Sequence, residues 1–382
     1  MEPTMNKQKK QFELPFHIVK RSNLPLRNKI LIYAVALVGG LLLSALICGG
    51  FAGKNPFEFF ALLFKGCFGT ERRRWLLFAE TALLLGTSMA LIPAFKMKFW
   101  NLGGNGQILV ASLCSYTLAH FLGGKLPDGV LIPLMFLSSV AAGILWALIP
   151  AVFKAFFGTN ETLFTLMMNY IAAGIVLYCR AAWIKNGSGQ FPPLTSGVLP
   201  KLYNDKLITI LVFFLLAAVM FVYLKYSKHG YEISVVGESE NTAKYIGIDV
   251  KKVILRTMVL SGAIAGLVGF FLIAQSGQGL SPEITNNMGF TAIMTSWLAA
   301  FNLPVTILTC FFIAFISKGM VQVRSDFNFT NNSIANIVIG LIYFCVISCA
   351  FFVNYKIVFR QKNSGEKIDL DKKLANQVRG VK

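Results

Sequence analysis

Titratable chemistry is scarce in this chain. Of 382 residues, 17 are Asp or Glu and 3 are His. Charged residues make up 14% of the chain, against about 25% in an ordinary soluble domain. No Gly-x-x-x-x-Gly-Lys-Ser/Thr run occurs, so no phosphate loop for ATP is present in the sequence. The 7 cysteines (Cys48, Cys67, Cys114, Cys179, Cys310, Cys345 and Cys349) fall almost entirely in apolar runs without zinc-type spacing. Neither a disulfide framework nor a metal centre is expected. No cluster of Asp, Glu, His or Lys forms in sequence, as a membrane-embedded enzyme would require. The first 29 residues are polar and basic, and no small-residue cleavage site follows a short apolar core. No cleavable signal peptide is therefore expected.

What fills the chain instead is hydrocarbon. Hydrophobic residues reach 55%, and the mean hydropathy is +0.63. The expected fold is an all-α polytopic membrane protein with about ten spans. They read roughly as 30–52, 75–95, 103–123, 129–153, 160–183, 207–226, 253–275, 288–301, 304–321 and 333–358. The segments 288–301 and 103–123 are short or interrupted by glycine, so broken helices are expected there. Pro56–Phe68 reads as a surface or re-entrant helix. A basic tail (1–29), a membrane domain (30–359) and a charged tail (360–382) complete the organisation.

The net charge of +19 sits in tails and loops. Two thirds of the 36 Lys and Arg fall on the side that carries both termini, which makes the termini cytoplasmic. This accounts for the charge without a nucleic-acid partner, for which no recognition motif exists. Arg72-Arg73-Arg74 runs against the rule, on the outer side. The loop 185–206, with Asn186-Gly-Ser-Gly and Phe191-Pro-Pro, is expected outside and irregular.

Two segments point to function. Phe99-Trp-Asn-Leu-Gly-Gly-Asn-Gly-Gln107 is polar and glycine-dense between two apolar runs. Irregular backbone at membrane depth survives only when buried in protein or lining a wet cavity. The segment reads either as an interhelical turn or as the edge of a passage for a polar solute. The second segment is Gly237-Glu-Ser-Glu-Asn-Thr-Ala-Lys-Tyr-Ile-Gly-Ile248. Ser239 is placed to cap a short helix, with Glu240 in its first turn, Lys244 in its last and Gly247 ending it. Thr242, Tyr245 and Ile246 share one face, which suits docking into a partner's groove or resting on the headgroups.

Isolated polar residues carry weaker signals. Glu80 lies inside a span, with Arg72–Arg74 expected to neutralise it. Lys318 reads as a snorkelling lysine. Asn169 is placed mid-helix, to bind a ligand or bridge helices. Asn160 and Glu161 read as a helix start. From residues alone, an ion-coupled secondary transporter and a membrane enzyme acting on lipid-linked substrates stay open as alternatives.

Five segments in order resemble the membrane subunits of nucleoside and simple-sugar ATP-binding-cassette importers. They are Phe99–Gln107, Gly158-Thr-Asn-Glu-Thr-Leu-Phe-Thr-Leu-Met-Met-Asn-Tyr-Ile-Ala172, Gly237–Ile248, Ser261-Gly-Ala-Ile-Ala-Gly-Leu-Val-Gly269, and Gly289-Phe-Thr291 with Pro304. The resemblance covers about residues 75 to 320. It implies a non-enzymatic permease in a prokaryotic cytoplasmic membrane. Its implied partners are two cytosolic ATPases, a second permease (a paralogue or an identical copy) and an external solute-binding lipoprotein. This chain would bind no cofactor, and ATP would be used by the partners. Gly237, Ser239, Glu240, Thr242, Ala243, Tyr245 and Gly247 would form the helix that couples to the ATPase. Asn101, Gly103, Gly104, Asn105, Gly106, Gln107 and Asn169 would edge the solute path. Phe290 and Trp297 would face a ring-shaped solute. Three departures stand out: Asn105 replaces the family's glutamate, Ser239-Glu240 replaces an Asn-Pro pair, and Leu298–Pro304 lacks the family's arginine.

Overall fold

The computed structural model describes residues 16–20, 26–184, 191–275, 277, 279–329 and 333–359. The tails 1–15 and 360–382, and residues 185–190 of the loop read as external, lie outside the described residues. Contacts divide the chain into two units, Ala45–Gly340 and the pair Met1–Ser44 with Leu341–Lys382.

In the terminal unit, β1 (Phe16–Lys20) pairs antiparallel with β2 (Tyr355–Phe359), with Phe16 opposite Phe359. The unit also holds most of α1 (Leu26–Ala52) and the later part of α13 (Ser333–Asn354). A Cβ on Gly40 would lie 3.4 Å from the Cβ of Cys345, so the glycine sets how closely those two helices approach. Paired strands must share one side of a bilayer, because open sheet edges do not occur in hydrocarbon. The chain between Lys20 and Tyr355 therefore crosses an even number of times.

In the main unit the described elements are helices joined by irregular connections, with one isolated bridge. Its elements are α2 (Pro56–Phe68), α3 (Glu71–Lys96), α4 (Gly104–Leu122), α5 (Asp128–Phe157), α6 (Glu161–Trp183), α7 (Leu207–Tyr226), α8 (Lys228–Glu238), α9 (Glu240–Tyr245), α10 (Val250–Ala274), α11 (Met288–Leu298) and α12 (Leu303–Asp326). Local chemistry sets their ends. Thr70, Asn160, Ser227 and Asp249 each accept a backbone N–H from the first turn of the helix they precede. Gly158, at φ 65°, closes α5 in a left-handed cap.

Among the described residues, seven helices are long and apolar enough to cross a membrane. Three further helices carry the difference from the expected ten. The polar start of α4 keeps it out of that set. For α13, the described apolar stretch is the short run Asn336–Cys345. With 11 residues, α11 spans about 16 Å, half of a ~30 Å hydrocarbon core.

The most buried spans are α3 and α10. Small residues let α10 lie against α5: a Cβ on Gly266 would sit 2.6 Å from Ser139 O and 2.7 Å from Val140 Cα. The Ser139 hydroxyl lies 2.8 Å from Gly266 O and 3.0 Å from Ala111 O, tying α10, α5 and α4 together. The close-packed core thus rests on backbone proximity and interhelical hydrogen bonds, the usual means of association in lipid.

Candidate translocation path and coupling loop

The glycine-rich segment turns between α3 and α4 and is held by amides. Asn101 is fully buried. Its Oδ1 accepts from Gly103 N at 3.0 Å and from Gln107 Nε2 at 3.4 Å, and its Nδ2 donates to Ser261 Oγ of α10 at 3.3 Å. Asn169 of α6 accepts from Gly106 N at 2.7 Å and donates to Leu102 O at 2.9 Å. Asn105 Oδ1 accepts from Gly289 N of α11 at 2.7 Å. A helix N-terminus leaves its first N–H groups without intrahelical acceptors. Here neighbouring helices supply two of those acceptors as side-chain amides. Two glycines are required by close approach: a Cβ on Gly106 would lie 2.9 Å from Asn169 Oδ1, and one on Gly289 2.6 Å from Asn105 N.

The break before α11 completes the arrangement. The end of α10 is met by the 191–199 loop, with Leu199 N donating to Ala274 O and Leu194 N to Gly277 O, both at 2.8 Å. The described chain from 279 to 287 is non-helical and reaches α11 through Asn286 and Asn287, at φ 43° and 56°. Its helical half then runs to Ala300 and Phe301, two further left-handed residues at φ 49° and 57°. Non-glycine residues rarely adopt this region in succession. The broken span expected at 288–301 is therefore present, as a short helix preceded by irregular chain.

The structure brings Asn101, Gly103, Gly104, Asn105, Gly106, Gln107 and Asn169 into one knot. Asn101 and Gln107 are buried in it, and Asn105 and Asn169 are half-buried. Phe290 and Trp297 stand on the exposed face of α11 with Met294 between them. Sequence reasoning missed the aromatic group beside Trp297. Trp100 packs edge-on to it at 5.5 Å, and Phe95 contacts Trp100 at 5.4 Å and stacks on Phe301 at 5.8 Å.

Glu80 requires a correction. Its carboxylate pairs with Lys318 Nζ of α12 at 3.2 Å, and not with the arginines. Arg73 instead donates to Lys65 O at 3.0 Å, where it braces the end of α2. Glu80 lies nine residues into α3, about 14 Å along the axis, below the reach of the helix start. Lys318 is accordingly an ion-pair partner and not a snorkelling lysine. Asn160 and Glu161 behave as read: Asn160 caps α6, and Glu161 pairs with Lys154 at 2.7 Å.

The second segment forms the end of α8, a break at Ser239 and all of α9. Ser239 Oγ accepts from Thr242 N at 3.2 Å. Gly247, at φ 84°, ends the turn, and Ile248 N donates to Ala243 O at 2.9 Å. Ala243 is buried, whereas Thr242, Ile246 and Tyr245 are exposed, Tyr245 at 93%. Inward, Gly237 abuts the carbonyl of Lys96 so closely that no Cβ would fit. Arg256 of α10 pairs with Glu232 of α8 at 2.7 Å. The Lys252 backbone N–H holds the Asp249 carboxyl below its ordinary value, consistent with its capping role.

The described residues form a bundle of apolar helices with a broken helix and a packed α8–α9 pair, the layout of a polytopic membrane protein. The profile of the branched-chain amino acid transport system permease component matches residues 73–347, and the chain belongs to that family. All five motif segments lie inside the match. A glucose ABC transporter permease protein of Haloferax volcanii is 25% identical over 85% of this chain and 88% of its own length. The guanosine ABC transporter permease protein NupP of Bacillus subtilis is 29% identical, over 70% and 77% respectively. A nucleoside ABC transporter permease protein of Lactococcus lactis is 24% identical, over 87% and 92%. The chain is thus a membrane-embedded permease of an ABC importer and not itself an enzyme. ATPase and substrate-binding partners belong to such a permease in general.

Proposed function

We propose that this chain forms part of the path for a neutral polar solute, a nucleoside first and a simple sugar second. It would do so in a prokaryotic cytoplasmic membrane with both termini inside. The observation that carries the reading is the broken span before α11, held against α4 by Asn105 and Gly289. Irregular backbone at membrane depth belongs beside a cavity or within protein. Amide-rich walls with nearby aromatic rings suit a polar ring-shaped solute. The names of the guanosine, nucleoside and glucose relatives support the same solute classes.

ATP is used by two cytosolic ATPases, and this chain binds no cofactor. A second permease and an external binding lipoprotein complete the assembly. The α9 helix is the coupling helix. Its exposed Tyr245 and Ile246 enter the ATPase groove, while Ala243 and Gly237 lock it to the bundle. Motion at α9 passes to α10 through Ile248 and the Asp249 cap, then to Asn101 through Ser261. It passes to α3 through the contact of Gly237 with Lys96. The path segment therefore sits at the far end of two short mechanical links. The test is competition of uptake in the reconstituted complex by nucleosides, sugars, amino acids and polyamines. Competition by nucleosides or sugars alone is expected. Competition by a charged solute, with none by these, overturns the assignment.

A further inference from the structure

We propose that Glu80, held by Lys318, forms with the side chains beside it a subsite for the vicinal hydroxyls of a polyol or ribosyl group. This rests on the neutral-solute reading above and deepens it. Glu80 and Lys318 lie near the middle of α3 and α12, where an ionisable pair is rare and costly. Glu80 lines a cavity of about 40 Å³ together with Asn286, Thr291, Ser317 and Asn336, and Lys318 holds its carboxylate from outside that lining. Such a space holds on the order of three waters, which a diol displaces group for group.

Four separate segments converge here: α3, the left-handed turn before α11, α12 and α13. The chemistry is specific. The carboxylate accepts from a hydroxyl, and the amide and hydroxyl side chains of the lining donate or accept. No aromatic ring lines the cavity among the described residues, so it does not suit a nucleobase face. The one charged group of the lining, Glu80, is already paired with Lys318 at 3.2 Å. The cavity's place at the entrance of a discontinuous helix is where transporters hold solute.

The test is uptake by the complete reconstituted transporter of labelled guanosine and labelled glucose. Each is competed by its parent compound and by a deoxygenated analogue. The wild type is expected to prefer the parent by about tenfold or more, since an unpaired buried polar group rejects an analogue lacking the hydroxyl. Glu80→Gln and Ser317→Ala should lower that ratio toward one, and Glu80→Asp should restore part of it. The double variant Glu80→Met with Lys318→Met removes both charges together and guards against misassembly from a lone buried charge. If the pair variants fail to assemble, Ser317→Ala decides. Assembled variants that keep the wild-type ratio make the pair a structural tie and overturn the proposal. If the wild type takes up neither solute, the solute reading itself fails and the subsite assignment falls with it.

Discussion

Replacing Asn169 by Leu separates the structural from the solute-contacting role of the amide knot. Leu conserves the approximate volume and removes both hydrogen bonds, at 2.7 Å to Gly106 N and at 2.9 Å to Leu102 O. Gly106 lies in the first turn of α4, where its N–H has no intrahelical acceptor. The substitution therefore strands one donor and one acceptor. Each stranded buried group costs about 1–3 kcal/mol. Because Asn169 is half-buried, the low half of the combined range applies, about 2–4 kcal/mol. Asn169→Asp keeps the acceptor for Gly106 and loses only the donor to Leu102. Its negative charge at a helix N-terminus returns about 0.3–1 kcal/mol, so its net loss should be the smaller. The assay is detergent-titrated unfolding in mixed micelles, followed by tryptophan fluorescence, since Trp100 sits beside the knot. The expected order of stability is wild type, then Asp, then Leu. An unchanged midpoint for Asn169→Leu, accompanied by altered solute selectivity, would show that Asn169 edges the path without holding it.

Gly266→Ala should destabilise the bundle by about 1–3 kcal/mol through overpacking, because its Cβ would meet backbone atoms of Ser139 and Val140 that cannot move aside. The same unfolding titration measures it. Tyr245→Asp should hinder docking and uncouple ATP hydrolysis from uptake, since an unpaired charge buried in a partner's groove costs about 3–5 kcal/mol. Normal coupling in that variant would leave α9 resting on the membrane surface. The Asp249 carboxyl is held below its ordinary value of 3.8 by its bond from Lys252 N–H. Its contribution to the start of α10 is therefore fully present above that pH and is lost as pH falls through the lower folded value. Carboxyl-resolved NMR titration of Asp249, with Asp249→Asn as the pH-insensitive control, checks both sign and position.

Local signals carried much of this fold into the sequence. Ser239, Glu240, Lys244 and Gly247 lie where capping chemistry puts them, and α9 begins and ends accordingly. The short α11 was legible because its apolar run is too brief to span hydrocarbon alone. What was hidden depends on helix rotation. Glu80 and Lys318 are far apart in sequence, and nothing local shows that α3 and α12 turn those faces toward each other. The amides of 99–107 read as polar residues beside glycine. Whether they meet water or a neighbouring backbone is set by Gly106 and Gly289, whose missing side chains admit Asn169 and Asn105. The α8 helix carries no comparable local signal. Its inward Gly230, Ile233, Val236 and Gly237 become a face only once α3 and α7 supply something to pack against.

The amide knot also explains how the permease tolerates broken helices in lipid. The N-termini of α4 and α11 meet at the Asn105–Gly289 contact. Each carries the partial positive charge of a helix N-terminus. A carboxylate at residue 105, as in the resembling family, would compensate that charge directly. Asn105 supplies only a neutral acceptor, so the positive ends stay partly uncompensated. That field favours oxygen-rich neutral groups over cations. Among the described residues, the ion pair near mid-depth is Glu80 with Lys318, and it is neutral as a pair. Backbone satisfaction and charge neutrality are thus met by the same small set of side chains. The segment can stay irregular without acquiring a fixed charge of its own.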